Sequence, residues 1–225
     1  MFKIAIDGPG GAGKSTVAKA VAHDLGITYV DTGALYRTIG LYCREHGVDP
    51  CDAAAVTAIL PNIDIQLSYE DGLQVIRLNG ENVGDAIRQH DISMYASHVS
   101  AHPTVREFLL NTQRNIAKTQ SVIMDGRDIG TVIFPDADVK IFLTATPENR
   151  AQRRYDELVA KGVETTYETV LADIKTRDYN DSHRAVAPLR PAEDAIIVDN
   201  TGFVSEQSVA LIEQIIAEKL GLTIQ

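Results

Sequence analysis

The strongest constraint on this chain is a glycine-rich run near its start, Gly8-Pro-Gly-Gly-Ala-Gly13-Lys14-Ser15. A short apolar stretch at residues 2–7 precedes it, and a helical pattern at 15–25 follows, with Val17, Val21 and Leu25 on one face and Gly26 as its stop. The run satisfies G-x-x-x-x-G-K-[ST] between strand and helix, where that pattern has a physical meaning. Successive backbone N–H groups reach phosphate oxygens only where side chains are absent, and the helix N-terminus adds positive potential. Composition alone yields such a string in roughly one chain in a hundred of this size, and the strand and helix around it lower that further. Gly8, Gly10, Gly11, Ala12, Gly13, Lys14, Ser15 and Thr16 are therefore the candidate cradle for a nucleoside triphosphate. Lys14 would reach the β- and γ-phosphates, facing solvent and phosphate rather than core, and the Ser15 hydroxyl would ligate Mg²⁺.

The rest of the pattern is α/β. Residues 27–31 read as a second buried strand and 34–46 as a helix with Leu35, Ile39 and Cys43 on one face. Further strands are expected at 121–124, 139–143 and 195–198, giving a five-stranded parallel sheet. Helices are expected at 104–118, at 147–161 with Thr146 as N-cap, at 167–179 and at 206–220. One stretch departs from this rhythm. Ile63, Ile65 and Leu67 alternate with polar residues, Glu70-Asp71-Gly72 and Asn79-Gly80 are turn signals, and 63–83 reads as a small antiparallel insert. At 225 residues with 44% hydrophobic content, the chain is read as one domain, 1–225. No apolar run reaches the roughly 18–20 residues of a membrane helix. Cys43 and Cys51 have no metal-binding spacing and are read as reduced thiols, and no export signal precedes the phosphate loop, so the expected compartment is the cytoplasm.

The phosphate loop leaves the class of protein open, because kinases, GTPases, ATPases and non-catalytic regulators all use it. The base-reading Asn/Thr-Lys-x-Asp of a GTPase is absent, and a large ATPase would be longer. With a net charge of −10 the chain would repel a nucleic acid polymer or an anionic membrane, so an anionic ligand must be met locally. Nine of the thirteen arginines fall between Arg106 and Arg190, as a small-molecule kinase would need. Asp31-Thr-Gly-Ala-Leu-Tyr36-Arg37 and Asp125-Gly-Arg127-Asp128 follow predicted strands, at the sheet edge where open parallel sheets bind ligands, and each brings an arginine beside a carboxylate. Arg177, Asp181 and Arg184 share a helical face if the helix runs through them, as do Arg150, Arg153 and Arg154, although surface salt-bridge ladders would give the same spacings. The six histidines have no ligand spacing and are read as structural.

On these motifs, together with Val105-Arg106-Glu107, Val139-Lys-Ile-Phe-Leu143 and Arg184-Ala-Val-Ala-Pro-Leu189, the sequence resembles the bacterial cytidylate kinases of the nucleoside monophosphate kinase group along essentially its whole length. The resemblance implies a P-loop kinase fold, an inserted monophosphate-binding subdomain at 63–98, a helical lid at 150–180, ATP with Mg²⁺ as donor and CMP or dCMP as acceptor. It also implies that Thr32, Ser97, Arg106 and Asp128 surround the cytosine, that Arg37 and Arg127 hold the acceptor phosphate, and that Arg177, Asp181 and Arg184 lie near the sugar and phosphates. Gly10 departs from the Ser or Ala of related loops and would make the free loop looser.

The expected reaction is ATP + CMP giving ADP + CDP in a monomer, with Lys14, Arg127, Arg154 and Arg184 as catalytic groups. The acceptor phosphate is already an anionic nucleophile, so no general base is required. A UMP or dTMP kinase and a nucleotide-binding regulator are the alternatives.

Overall fold

The computed structural model describes residues 1–70, 73–89 and 91–222. Its core is a parallel sheet built from β1 (Lys3–Asp7), β2 (Thr28–Asp31), β6 (Val122–Gly126), β7 (Val139–Thr144) and β8 (Ile196–Asp199), in the order β2-β6-β1-β7-β8. The expected five-stranded sheet is therefore present. The strands alternate faces residue by residue. Ile4, Ile6, Ile123 and Ile141 pack under α1 (Lys14–Leu25) and α8 (Ser205–Leu220) through Val17, Val21, Ile212 and Ile216. Ala5, Val30, Val122 and Met124 pack on the other face against Ile129, Ile133 and Phe134 and the end of α5 (Pro103–Ile116). Both faces are covered, which is why these strands read as nearly continuous apolar runs.

A third apolar cluster joins α2 (Thr32–Glu45), α3 (Ala53–Ile59), α4 (Ile92–Val99) and α5 to the insert, through Leu35, Ile39, Val56, Ile76, Ile92 and Val105 among others. Gly40 lets α2 and α4 approach closely, since a Cβ there would stand 2.9 Å from the Tyr95 Cβ. The insert is a three-stranded antiparallel sheet, β3 (Ile65–Glu70), β4 (Leu73–Leu78) and β5 (Glu81–Asn82). Its second expected turn is present, with φ 51° at Asn79 and 89° at Gly80, the signs a tight hairpin turn requires. Of the first, Asp71 and Gly72 lie outside the described residues. The insert also covers the free edge of β2. The Gln74 amide accepts from Asp31 N–H at 2.8 Å and donates to Asp31 O at 3.3 Å, and the Tyr69 hydroxyl donates to Tyr29 O at 3.2 Å.

The remaining helices, α6 (Pro147–Ala160) and α7 (Tyr167–His183), pack on each other through Ala151, Leu158, Val170 and Ile174, a cluster separate from those on the main sheet. Thr146 caps α6 as expected, its hydroxyl accepting from Asn149 N–H at 3.3 Å. Two sequence expectations need correction. α7 continues past 179 to His183, because Ile174, Asp181 and their neighbours keep one side buried beyond the last apolar residue of the pattern. It stops before Arg184, whose ψ of 143° is extended, so Arg184 is not on the face shared by Arg177 and Asp181. α3 and α4 were absent from the sequence reading. α3 starts where the Asp52 carboxylate accepts from Ala54 and Ala55 N–H, and α4 carries Ile92, Ala96 and Val99 at helical spacing. No helix among the described residues is long and apolar enough to cross a membrane, and both cysteines are free thiols.

Candidate active site

At the carboxyl ends of the sheet strands lies a cavity of about 710 Å³, lined by the phosphate loop, α4, α5, the β6 end, α6 and α7. Eleven cationic and seven acidic side chains line it, so a protein of net charge −10 has gathered an excess of positive charge at one place.

The phosphate loop forms its floor. Gly8 has φ +148°, and a Cβ there would meet Leu143 O at 1.9 Å, so no side chain fits. Neither Gly8 nor Ala12 lines the cavity, whereas Gly10, Gly11, Gly13, Lys14, Ser15 and Thr16 do. Ala12 is wholly buried in the apolar cluster beneath α1 and anchors the loop. Two side chains brace it from behind: Arg150 donates to Gly10 O at 2.9 Å and Asn200 to Ala12 O at 3.0 Å. At Gly10 a Cβ would lie 3.5 Å from both Arg127 and Arg177, an ordinary contact, so the missing side chain leaves room rather than relieving a clash.

Lys14 corrects the sequence expectation. It is 6% exposed, and its ammonium donates to Pro9 O at 2.8 Å instead of reaching toward solvent. Burial and the neighbouring Arg127 hold its pKa well below the usual lysine range. Ser15 Oγ donates to Asp125 Oδ2 at 2.8 Å, and the Tyr29 hydroxyl donates to Asp125 Oδ1 at 3.0 Å. Burial and the nearby Asp31 push the Asp125 carboxyl up. A hydroxyl and a carboxylate in contact at the start of α1 form a hard-oxygen donor set that suits Mg²⁺, which takes few protein ligands and fills its shell with phosphate and water. Asp125 in that role was not read from the sequence, though its position at the carboxyl end of β6 was the available signal.

Arg106, Asp128 and Arg184 meet at the other end of the cavity. Arg106 Nη2 donates to Asp128 Oδ2 in a short ion pair, and Arg184 Nη2 stands 3.5 Å from Asp128 Oδ1. Burial opposes charge on Arg106, but Tyr36 and Asp128 outweigh it and raise its pKa. Its guanidinium also lies 5.4 Å above the Tyr36 ring centroid. Ser100 links the pair, accepting from Arg184 through Oγ at 3.1 Å and from Arg106 through its carbonyl at 3.2 Å. The Thr32 hydroxyl donates to Asp125 O at 2.7 Å, which ties the start of α2 to β6, and Thr32 lines the cavity there.

Asp181 joins the two ends. It accepts from Arg127 Nε at 2.8 Å and from Ser97 Oγ at 3.2 Å. Burial works against its charge, yet Arg127 and Arg177 hold its carboxyl below the usual range. Arg37 pairs with Asp31 at 2.6 Å, leaving its buried Nε without a partner, and the buried Nε of Arg177 is likewise unpartnered. Burial and Arg127 bring Arg177 down to about 10, still a cation at neutral pH. An anion between these groups would satisfy what the protein leaves open.

The three arginines of α6 do not converge as a set. Arg150 is buried behind the loop, paired to Asp178 at 2.5 Å, and Arg153 donates to Asn200 O and Phe203 O. Only Arg153 and Arg154 line the cavity, with Arg154 paired to Glu157 at 2.8 Å.

The chain that builds this cavity has close relatives in sequence. The sequence profile of the cytidylate kinase family matches residues 4–218. A cytidylate kinase of Caldicellulosiruptor bescii is 51% identical over 206 residues, covering 92% of this chain and 91% of its own. That of Caldicellulosiruptor saccharolyticus is 48% identical over 220 residues (98% and 97%), and that of Streptococcus pyogenes 50% identical over 220 residues (97% of each). Identity near one half across nearly the full length, on a fold whose phosphate loop and arginines share one cavity, means that this chain belongs to the cytidylate kinase family of phosphotransferases.

Proposed function

We infer that this chain transfers the γ-phosphoryl group of ATP to CMP or dCMP, giving ADP and CDP or dCDP. The observation that carries the reading is the Arg106–Asp128–Arg184 array, buried in the same cavity as the phosphate loop. Cytosine offers an amino donor beside ring acceptors, and a carboxylate flanked by guanidinium groups is complementary to that edge. Gly10, Gly11, Gly13, Lys14, Ser15 and Thr16 then receive the donor phosphates, held by Gly8 and Ala12. Ser15 and Asp125 are the residues that would hold Mg²⁺, which when bound neutralises charge on the donor phosphates.

The acceptor phosphate attacks as an anion, so the protein's task is alignment and charge stabilisation. Arg37, Arg127 and Arg177 surround the acceptor phosphate, while Lys14, Arg127, Arg154 and Arg184 cover charge spreading over the transferred group. Thr32 and Ser97 bound the base pocket. Residues 150–180, on α6 and α7, act as a lid that brings Arg154 over the phosphates, and 63–98 forms the acceptor-binding insert of a single unit, 1–225. We take the protein to be a cytoplasmic monomer that works on small molecules rather than on nucleic acid or membrane.

A coupled ADP-release assay with CMP, dCMP, UMP and dTMP tests the reading. Turnover confined to cytidine nucleotides supports it, preference for UMP or dTMP replaces the substrate, and acceptor-independent hydrolysis alone would leave a nucleotide-binding regulator. Asp181→Ala sharpens the acceptor side, because it frees both Arg127 and Ser97. It is expected to lower kcat/KM for CMP about tenfold or more while changing that for ATP little, the cost of an unpaired buried guanidinium. Equal losses on both substrates would make Asp181 a part of the fold only.

A further inference from the structure

Asp7 ends β1 immediately before the phosphate loop, and the phosphoryl transfer described above does not use it. Its carboxylate is 4% exposed and accepts from Ile129 N–H and Gly130 N–H, each at 2.7 Å. These N–H groups open the wide helical turn Ile129–Ile133, in which Ile133 N–H and Phe134 N–H bond five residues back, to Asp128 O and Ile129 O. The turn starts directly after Asp128. Two charge-assisted bonds to adjacent N–H groups form a clamp that fixes both position and orientation of the backbone.

We propose that Asp7 is a positioning residue for base selection: by clamping the turn after Asp128, it sets the carboxylate that Arg106 and Arg184 hold toward the cytosine amino group. The inference rests on the base-pocket reading above. A wide turn costs backbone geometry that a local sequence does not hold by itself, and the clamp supplies the restraint from a neighbouring strand, on the rigid centre of the sheet. Asp128, just before the turn, and Lys14 from α1 act on Asp7 through their charges, while from β7 the Lys140 stem packs on Gly130 with its ammonium held by Pro135 O and Asp194. Burial pushes Asp7 up to about 6 against the pull of its two N–H bonds. It is therefore a carboxylate at pH 7.5 and gains a proton below about 6, when one of its oxygens turns from acceptor to donor against an N–H.

Asp7→Asn makes the same change at every pH. At pH 7.5 it is expected to raise KM for CMP about tenfold, to narrow the CMP-over-UMP preference by a similar factor, and to leave KM for ATP within about twofold. As pH falls to 5.5 the ratio of the two proteins' CMP KM values should shrink toward one, since titration of the CMP phosphate is common to both. Should the variant fail to fold, the wild type carries the test alone: its CMP-over-UMP preference should fall below pH 6, where the two acceptor phosphates titrate alike and cancel. Equal rises in KM for ATP and CMP, or a preference that neither the substitution nor acid alters, would overturn the role of Asp7. Absence of any CMP-over-UMP preference in the wild type at pH 7.5 would instead remove the base reading, and this inference with it.

Discussion

Lys14→Met is expected to lower kcat/KM about 10³-fold or more while leaving the melting temperature unchanged or higher. The first half follows from charge: a cation fixed where negative charge develops is worth several kcal/mol in a site that excludes water. The second half follows from where the ammonium is stored. It is buried, has Pro9 O as its hydrogen-bond partner, and faces Arg127, and both burial and that like charge penalise the protonated form. Methionine keeps the stem packed and removes the buried charge. Its pH dependence has a definite sign. A lysine with a depressed folded pKa binds fewer protons native than unfolded, so its contribution makes stability rise with pH between the folded and unfolded values. The variant should lose that increment. Calorimetric melts with and without ATP check both parts, and a lowered melt in the free protein would make Lys14 a structural residue.

Asp128→Asn is expected to cost about 10²-fold or more in kcat/KM for CMP and to narrow the preference over UMP chiefly by that loss. Both Asp128 oxygens face guanidinium groups, and the looser contact, 3.5 Å to Arg184, leaves Oδ1 room to accept from an exocyclic amine. UMP would set a carbonyl against that carboxylate. An unpaired buried polar group costs about 1–3 kcal/mol, hence a wild-type preference of tenfold to a hundredfold. In the variant, Arg106 and Arg184 lose their counter-ion and the amide can turn a donor outward. Steady-state kinetics on both nucleotides decide it. Full preference for CMP in the variant would mean the base is read elsewhere.

The strands and the phosphate loop were legible because their signals are local. Ile4, Ile6, Ile123 and Ile141 sit in runs buried on both faces, and Gly8 to Ser15 must form one shape to serve phosphate. The arginines were legible as residues but not as partners. Arg150, Arg153 and Arg154 have identical helical spacing arguments, yet Asp178, the carbonyls of Asn200 and Phe203, and Glu157 draw them to three different tasks, and those partners lie up to 50 residues away. Arg184 meets Ser100 and Asp128 although the helix that holds Arg177 and Asp181 ends at His183, because the extended backbone at 184 turns the side chain toward them. The burial of Lys14 was not legible for a related reason. Motif logic names the phosphate a side chain serves, whereas the fold also gives the ammonium a neighbouring acceptor, the Pro9 carbonyl, which spacing does not announce.

The α6–α7 pair has its own small apolar cluster, Ala151, Leu158, Val170 and Ile174, and is fastened to the loop by Arg150. Four buried side chains hold far less free energy than the sheet clusters, so this hairpin should open without the sheet. Amide hydrogens of α6 and α7 would then exchange through a cheap local event while those of β1 and β6 wait for global unfolding. ATP and CMP together, by pairing the arginines across the cleft, should slow exchange in the hairpin far more than in the sheet. Part of the affinity for nucleotide would then be consumed in ordering two helices, and stiffening that hairpin would tighten binding while delaying the departure of products.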